Sequence, residues 1–179
     1  MKHGSNWGLT DLMNRKNKMA FVSVYFGLGS NLGNRLNNLE AALSMLDDAL
    51  GSHYQSLSKI IETSPWGFDS SDKFLNCCVL YRIYRKGTPE QQGLELLAIC
   101  QDIEKKLGRK EKSSKGSDGK PVYHNRTIDI DILFYGSEKI DMPELRVPHP
   151  LIAERPFVMV PLLEIAKPSL KTAFPEIFA

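Results

Sequence analysis

Two stretches of the chain alternate between apolar and polar positions, and two others repeat apolar residues at helical spacing. Ala20–Leu28 is β-branched and aromatic and predicts a first strand. Leu36, Leu39, Ala42, Leu43, Leu46, Ala49 and Leu50 then fall three or four apart, so a helix is expected over about 34–50, with Asn34 as N-cap and Gly51 as stop. Tyr54–Glu62 predicts a second strand, and Thr63–Asp72, broken by Pro65 and Gly67, a loop. Phe74–Tyr84 is the third strand. Thr88-Pro89 reads as N-cap and first turn of a second helix, whose apolar face is assigned to Leu94, Leu97, Ala98, Ile103 and Leu107, ending at Gly108. Residues 126–136 form the last strand, with Ile128, Ile130, Ile132 and Phe134 on one face and Asp129, Asp131 and Leu133 on the other. Residues 141–150 are expected to be loop, and 151–155 and 156–165 short helices.

The resulting order, β-α-β-β-α-β with a short C-terminal helical appendage, predicts an α+β domain of the ferredoxin-like class. Its antiparallel sheet carries two helices on one face and leaves the other for a ligand. At 179 residues one domain is expected over 19–179, and the polar, aperiodic residues 1–18, Trp7 aside, read as a loose extension.

Charge changes this picture locally. The net charge is +2, but residues 1–18 carry +3 of it, which leaves −1 on the rest and excludes a general nucleic-acid or anionic-membrane surface. The basicity is concentrated between 105 and 126, where eight Lys/Arg stand against Glu111 and Asp118. Cys77, Cys78 and Cys100 lack metal-ligand spacing and fit small core residues of a reducing compartment. With no apolar stretch of membrane-spanning length, a cytoplasmic protein is expected.

The chemistry starts from the last strand. Aspartate is a poor strand former, and alternation puts Asp129 and Asp131 on one face about 6.6–6.8 Å apart, where they repel each other. A solvated polar face would tolerate them. Beside a cationic loop, however, hard carboxylate oxygens suit Mg²⁺ bound together with a polyphosphate. Gly27-Leu-Gly-Ser-Asn-Leu-Gly33 is one residue off the dinucleotide fingerprint, which counts against a nicotinamide-dependent oxidoreductase. The aspartates also count against an RNA-binding sheet, since they repel phosphates.

Several motifs in order resemble the 6-hydroxymethyl-7,8-dihydropterin pyrophosphokinase family of folate biosynthesis. They are Gly27–Gly33, Thr63-Ser-Pro-Trp-Gly67, Phe74-Leu-Asn76, Leu107-Gly-Arg109, Asn125–Gly136, Val147-Pro-His-Pro150 and Arg155-Pro-Phe157, which together cover about 20–165. The resemblance implies transfer of the β,γ-pyrophosphoryl group of ATP to the pterin hydroxymethyl group, with release of AMP. It implies two Mg²⁺ ions on Asp129 and Asp131, and Arg109, Arg126 and the two aspartates as the catalytic set. A pterin site of Thr63, Pro65, Trp66, Phe74, Asn76 and Phe157 is implied, with the two phenylalanines stacking on the ring. An ATP site of Glu104, Arg109, Tyr123, Arg126, Ile132, Arg146, His149 and Arg155 is implied as well. Read on its own, Glu104 is a solvated helix-face residue. The chain departs from the family's short bacterial form in a longer 109–126 loop, in Glu111 and in Glu144, whose lost charge Arg146 restores. That loop, 108–125, is expected to move and to order on a polyphosphate. ATP and the pterin are the expected partners, with no nucleic acid or membrane, and the chain is expected to act as a monomer.

Overall fold

A computed structural model describes residues 20–67, 70–109, 114–115, 121–122 and 125–179. The extension 1–18, Tyr123 and most of the basic loop lie outside these residues. Strand β1 (Phe21–Ser30) is followed by helix α1 (Arg35–Leu50), the short strands β2 (Ser56–Leu57) and β3 (Ile61–Thr63), β4 (Phe74–Tyr84) and helix α2 (Pro89–Lys106). Strands β5 (Ser114–Lys115), β6 (Pro121–Val122), β7 (Asp129–Tyr135), β8 (Ile140–Asp141) and β9 (Arg146–Val147) come next. Helices α3 (Pro156–Ile165), α4 (Pro168–Ala173) and α5 (Pro175–Phe178) end the chain.

The main sheet is antiparallel. β4 pairs with β1 along its whole length, β7 lies on the other side of β1, and β2 and β3 share the outer edge of β4. Both helix starts follow their sequence signals. The Asn34 side chain accepts from the Asn37 N–H, and Thr88 and Gln91 form a reciprocal capping box around Pro89. Gly51 ends α1 with φ 60°, a left-handed conformation that costs glycine little.

Each face of the sheet has its own core. Val22, Val24, Phe26 and Leu28 of β1 pack with Leu39, Leu43 and Leu46 of α1 and with Leu96, Cys100 and Ile103 of α2. On the opposite face Tyr25, Cys78, Leu80, Leu133 and Phe134 pack with Val158 and Leu162 of α3, Leu170 of α4 and Phe174. The second face is therefore not left open along its length: the C-terminal helices cover part of it.

Other expectations need correction. Leu36 is exposed rather than part of the α1 core. The buried side of α2 is Gln92, Gly93, Leu96, Cys100, Ile103 and Glu104, a face with two polar members that hydrophobic periodicity cannot select. The expected strand 54–62 is two short pieces. Between them the Ser58 hydroxyl accepts the Cys78 N–H at 2.9 Å and donates to the Lys59 carbonyl, in competition with the ladder. The expected loop 141–150 contains all of the β8–β9 hairpin except Ile140. Residues 151–154 form turns instead of a helix, because Pro156 holds Arg155 extended at φ −113°, ψ 94°. In β7 the alternation breaks: the register shifts beside Tyr25 and Phe26, Leu133 is the extra residue, and Phe134 turns to the face opposite Ile128, Ile130 and Ile132.

Phe174 is 1% exposed and its ring lies 5.2 Å from that of Phe134, so α4 and α5 are anchored through it. Phe174→Ala should cost about 3–5 kcal/mol in a denaturant melt, the range for emptying an aromatic core site. A loss below about 1 kcal/mol would show that the terminal helices add little to the domain.

Candidate active site

The site lies where β1 runs out between β4 and β7. Along β1, Gly27 is paired with Asp131 on one side and Cys78 on the other, and Gly29 with Asp129 and Asn76. Two glycines at period 2 leave two cross-strand rows without a central side chain, which opens a floor between the aspartates and Asn76. At Gly29 the absence is required: a Cβ there would stand 2.8 Å from Asn76 Oδ1. Above this floor is a cavity of about 330 Å³.

One side of the cavity is apolar and amide-lined. Phe74, Trp66 and Phe157 form its walls, and Asn76, 5% exposed, donates from Nδ2 to Thr63 Oγ1 at 2.8 Å. That bond commits one amide proton and orients the rest of the carboxamide. The other side is ionic. Asp129 Oδ2 accepts from Arg126 Nη1 at 2.8 Å and Asp129 Oδ1 from Arg109 Nη1 at 2.5 Å. Asp131 Oδ2 lies 3.5 Å from Arg155 Nη1 and 4.0 Å from His149 Nε2. Because His149 Nδ1 accepts the Leu151 N–H at 3.2 Å, the ring proton belongs on Nε2, which faces Asp131. Arg155 joins the two sides: its guanidinium lies 5.2 Å from the Trp66 ring and 5.8 Å from that of Phe157.

Asn31, at the end of β1, ties the rim together. It is 3% exposed, accepts the Arg126 N–H at 2.7 Å and donates to Asn125 Oδ1 at 2.8 Å and to the Asp72 carbonyl at 3.2 Å. Within the Gly27–Gly33 stretch Asn31 thus supplies the polar contacts to the rim, and Gly27 and Gly29 serve as strand floor.

Of the residues expected at a site, Thr63, Trp66, Phe74, Asn76, Arg126, Asp129, Asp131, His149, Arg155 and Phe157 line this cavity. Pro65, Arg109, Glu104, Ile132 and Arg146 do not. Pro65 is half-buried beside it; Arg109 stands behind Asp129. The Ile132 side chain is in the core on the other face of the sheet, and Arg146 is exposed and paired with Asp141 at 3.0 Å. Glu104 is not the solvated helix residue expected. It is 3% exposed, and its Oε1 accepts both Arg109 Nη1 at 2.6 Å and the Ile130 N–H at 2.8 Å. Sequence reasoning missed Gly27, Gly29 and Asn31 as site-forming residues; the period-2 glycines within a strand pattern were the available signal.

A cavity with carboxylates and guanidiniums on one wall and flat apolar rings on the other is the kind of ligand site that can set an anionic group against a planar one. The family model described as 7,8-dihydro-6-hydroxymethylpterin-pyrophosphokinase (HPPK) matches residues 25–167. A 2-amino-4-hydroxy-6-hydroxymethyldihydropteridine pyrophosphokinase of Porphyromonas gingivalis is 45% identical over 144 residues, which is 80% of this chain and 90% of the relative. One of Aquifex aeolicus is 37% identical over 80% of each chain. A solved structure of an HPPK-DHPS in complex with substrates shares the fold, with a TM-score of 0.61 at 14% identity over 88% of this chain and 43% of that one. The chain belongs to the HPPK family, and it is a pyrophosphokinase of folate biosynthesis.

The donor set fits the magnesium implied for that family. Asp129 and Asp131 offer hard oxygens on one wall, and each carboxylate has about four lone-pair sites, so an oxygen that accepts from arginine can still ligate a cation. Among the described residues no group of three or more His, Cys, Asp and Glu side chains could hold an ion by itself. A cation here would complete its shell with water and substrate oxygens, the usual habit of Mg²⁺.

Two measurements test this geometry. Asn31→Ala strips the Arg126 N–H of its acceptor and unties the 72 and 125 segments, so a loss of about 1–3 kcal/mol is expected in a thermal or denaturant melt. Burial pushes the Cys77 thiol up to about 12 and raises that of Cys78 as well. Both thiols therefore stay protonated at pH 8, and iodoacetamide should label neither in the native protein, whereas rapid labelling would show the cavity floor open to reagent.

Proposed function

We propose that this chain transfers the β,γ-pyrophosphoryl group of ATP to the hydroxymethyl oxygen of 6-hydroxymethyl-7,8-dihydropterin, on a ferredoxin-like βαββαβ framework and as a monomer. The observation that carries the reading is the pair of cross-strand rows: Asn76 and Asp129 flank Gly29, and Cys78 and Asp131 flank Gly27, all in one cavity. The pterin ring belongs on the Asn76 side, between Phe74 and Phe157, where aromatic faces suit a flat heterocycle and the oriented carboxamide offers an acceptor and a remaining N–H to its edge. The triphosphate belongs on the Asp129–Asp131 side, against Arg126, Arg155 and the Nε2–H of His149.

In this arrangement the hydroxymethyl oxygen attacks the β-phosphorus in line, its proton is released to solvent, and the bond from the β-phosphorus to the α,β-bridging oxygen breaks so that this oxygen leaves with AMP. Mg²⁺ held by Asp129 and Asp131, two ions on the family pattern, would neutralise phosphate charge and polarise the phosphorus being attacked. The chain's own contribution is positioning and electrostatics. Arg126 and Arg155 donate to phosphate oxygens as negative charge shifts toward the leaving group. Arg109 holds Asp129 from behind. Trp66 and Phe157 exclude water from the side on which the pterin oxygen approaches.

The direct test is incubation with ATP, Mg²⁺ and the dihydropterin, followed by identification of the nucleotide product. AMP is expected; ADP would mean transfer of a single phosphoryl group and would overturn the reading. Asp131→Asn should lower turnover by at least about a hundredfold with little change in the melt. Asn76→Ala should weaken pterin binding about tenfold or more by calorimetry and leave the affinity for an ATP analogue within about twofold. Equal losses for both ligands would assign Asn76 to folding instead of recognition.

A further inference from the structure

We infer that Glu104 is a positioning residue that tunes the affinity of the aspartate pair for a divalent cation, acting through Arg109 and the β7 backbone and touching neither substrate. The inference rests on the metal-assisted reading above. Glu104 sits near the end of α2, outside the cavity lining, and both it and Arg109 are 4% exposed at the side chain. The same Arg109 Nη1 reaches Glu104 Oε1, Asp129 Oδ1 and, at 3.3 Å, the Ile128 carbonyl.

Charge explains why a second carboxylate belongs there. Asp129 faces two guanidiniums, Arg109 on Oδ1 and Arg126 on Oδ2. With those three groups alone the corner is positive, and an approaching divalent cation is repelled where it must bind. Glu104 cancels Arg109, so the four groups together are neutral where the other three alone are positive. The cancellation is effective because Glu104 and Arg109 are shielded from water, where a charge acts over several ångströms with little screening. Glu104 also fixes geometry. β7 ends the main sheet, and Ile130 stands between the two aspartates; capping its N–H at 2.8 Å fixes the stretch of backbone that spaces them.

A salt bridge that only stabilised the fold would leave ligand affinities alone or weaken them together. Removal of one negative charge from behind the metal site must instead push cation and anion binding in opposite directions. The experiment uses Mn²⁺, followed by its electron paramagnetic resonance signal, with α,β-methylene-ATP. Glu104→Gln, which retains an oxygen acceptor for both donors, should bind Mn²⁺ in the presence of the analogue on the order of tenfold more weakly than the unaltered protein. In EDTA the analogue itself should bind Glu104→Gln as well as or better than the unaltered protein. The double variant Glu104→Gln/Arg109→Met removes both charges and should return the Mn²⁺ affinity to within about threefold of the starting value.

An Mn²⁺ affinity within about twofold of the original in Glu104→Gln overturns the inference. So does a parallel loss of analogue binding with and without metal. If Glu104→Gln fails to fold, the double variant carries the test, since the two buried charges leave together. A loss there on the order of tenfold would overturn it. Failure of the underlying reading looks different: the unaltered protein would take up no Mn²⁺ with the analogue.

Discussion

The structure depends on keeping two like charges on one face of one strand. Asp129 and Asp131 repel each other in a partly desolvated cavity, and burial of such groups is tolerated only when they are paired and hydrogen-bonded. The partners come from three separate places: Arg109 from just beyond α2, Arg126 from the approach to β7, and Arg155 from the start of α3. The Arg109 and Arg155 pairs tie distant segments to the same strand, and the Arg126 pair, only three residues apart, fixes the chain as it enters that strand. The connection after α2, the entry to β7 and the packing of α3 are all constrained by the charge of two residues.

A second constraint is steric. Carboxylates and an amide can share one floor only if the strand between them has no side chains there, and Gly27 and Gly29 meet that condition at the two positions where it applies. The bulge at Leu133 completes the arrangement. It lets β7 present aspartates to the cavity at one end and, one step out of phase, both Leu133 and Phe134 to the core under the C-terminal helices at the other. A strand of unbroken alternation would send Phe134 toward α1 and α2 and leave Tyr25 and Phe174 without the ring they pack against. One extra residue marks where the second sheet face passes from the open cavity to the core covered by the C-terminal helices.

What was legible in the sequence follows from which interactions are local. Asn34, Thr88-Pro89 and Gly51 act within a few residues of themselves, so the helix limits could be read directly. Phe74–Tyr84 was read to the residue because it is a long run of mostly apolar, mostly buried side chains. The same-face placement of Asp129 and Asp131 needed only the strand period. The failures involve partners far away in the chain. Gln92 and Glu104 occupy the buried face of α2 because Tyr135, Arg109 and the Ile130 N–H satisfy them, and a hydrophobicity pattern counts both as solvent-facing. Asn31 sits in a short polar turn whose meaning depends on residues 72, 125 and 126. The bulge is set by pairing across the sheet and leaves no mark in the composition of β7.

The ionic wall also bears on how substrate enters. Each aspartate holds an arginine, so the groups that would bind phosphate and the groups that would bind a cation neutralise one another in this arrangement. In the proposed reaction a metal–nucleotide complex brings both signs at once: the cation meets the carboxylates while the phosphates draw the arginines. Either alone would meet a site already neutralised, with partly buried ion pairs to break and only half of the compensation on offer. In that reaction the binding of metal and of nucleotide would be positively coupled, with a coupling free energy that is the same whichever ligand is considered first. Arg126 and Arg155 line the cavity and can make this exchange, whereas Arg109, fixed between Glu104 and Asp129, stays in place. The wall thus has an outer layer of arginines that a ligand in the cavity can reach and, behind it, a buried Glu104–Arg109 pair that sets the charge beneath them.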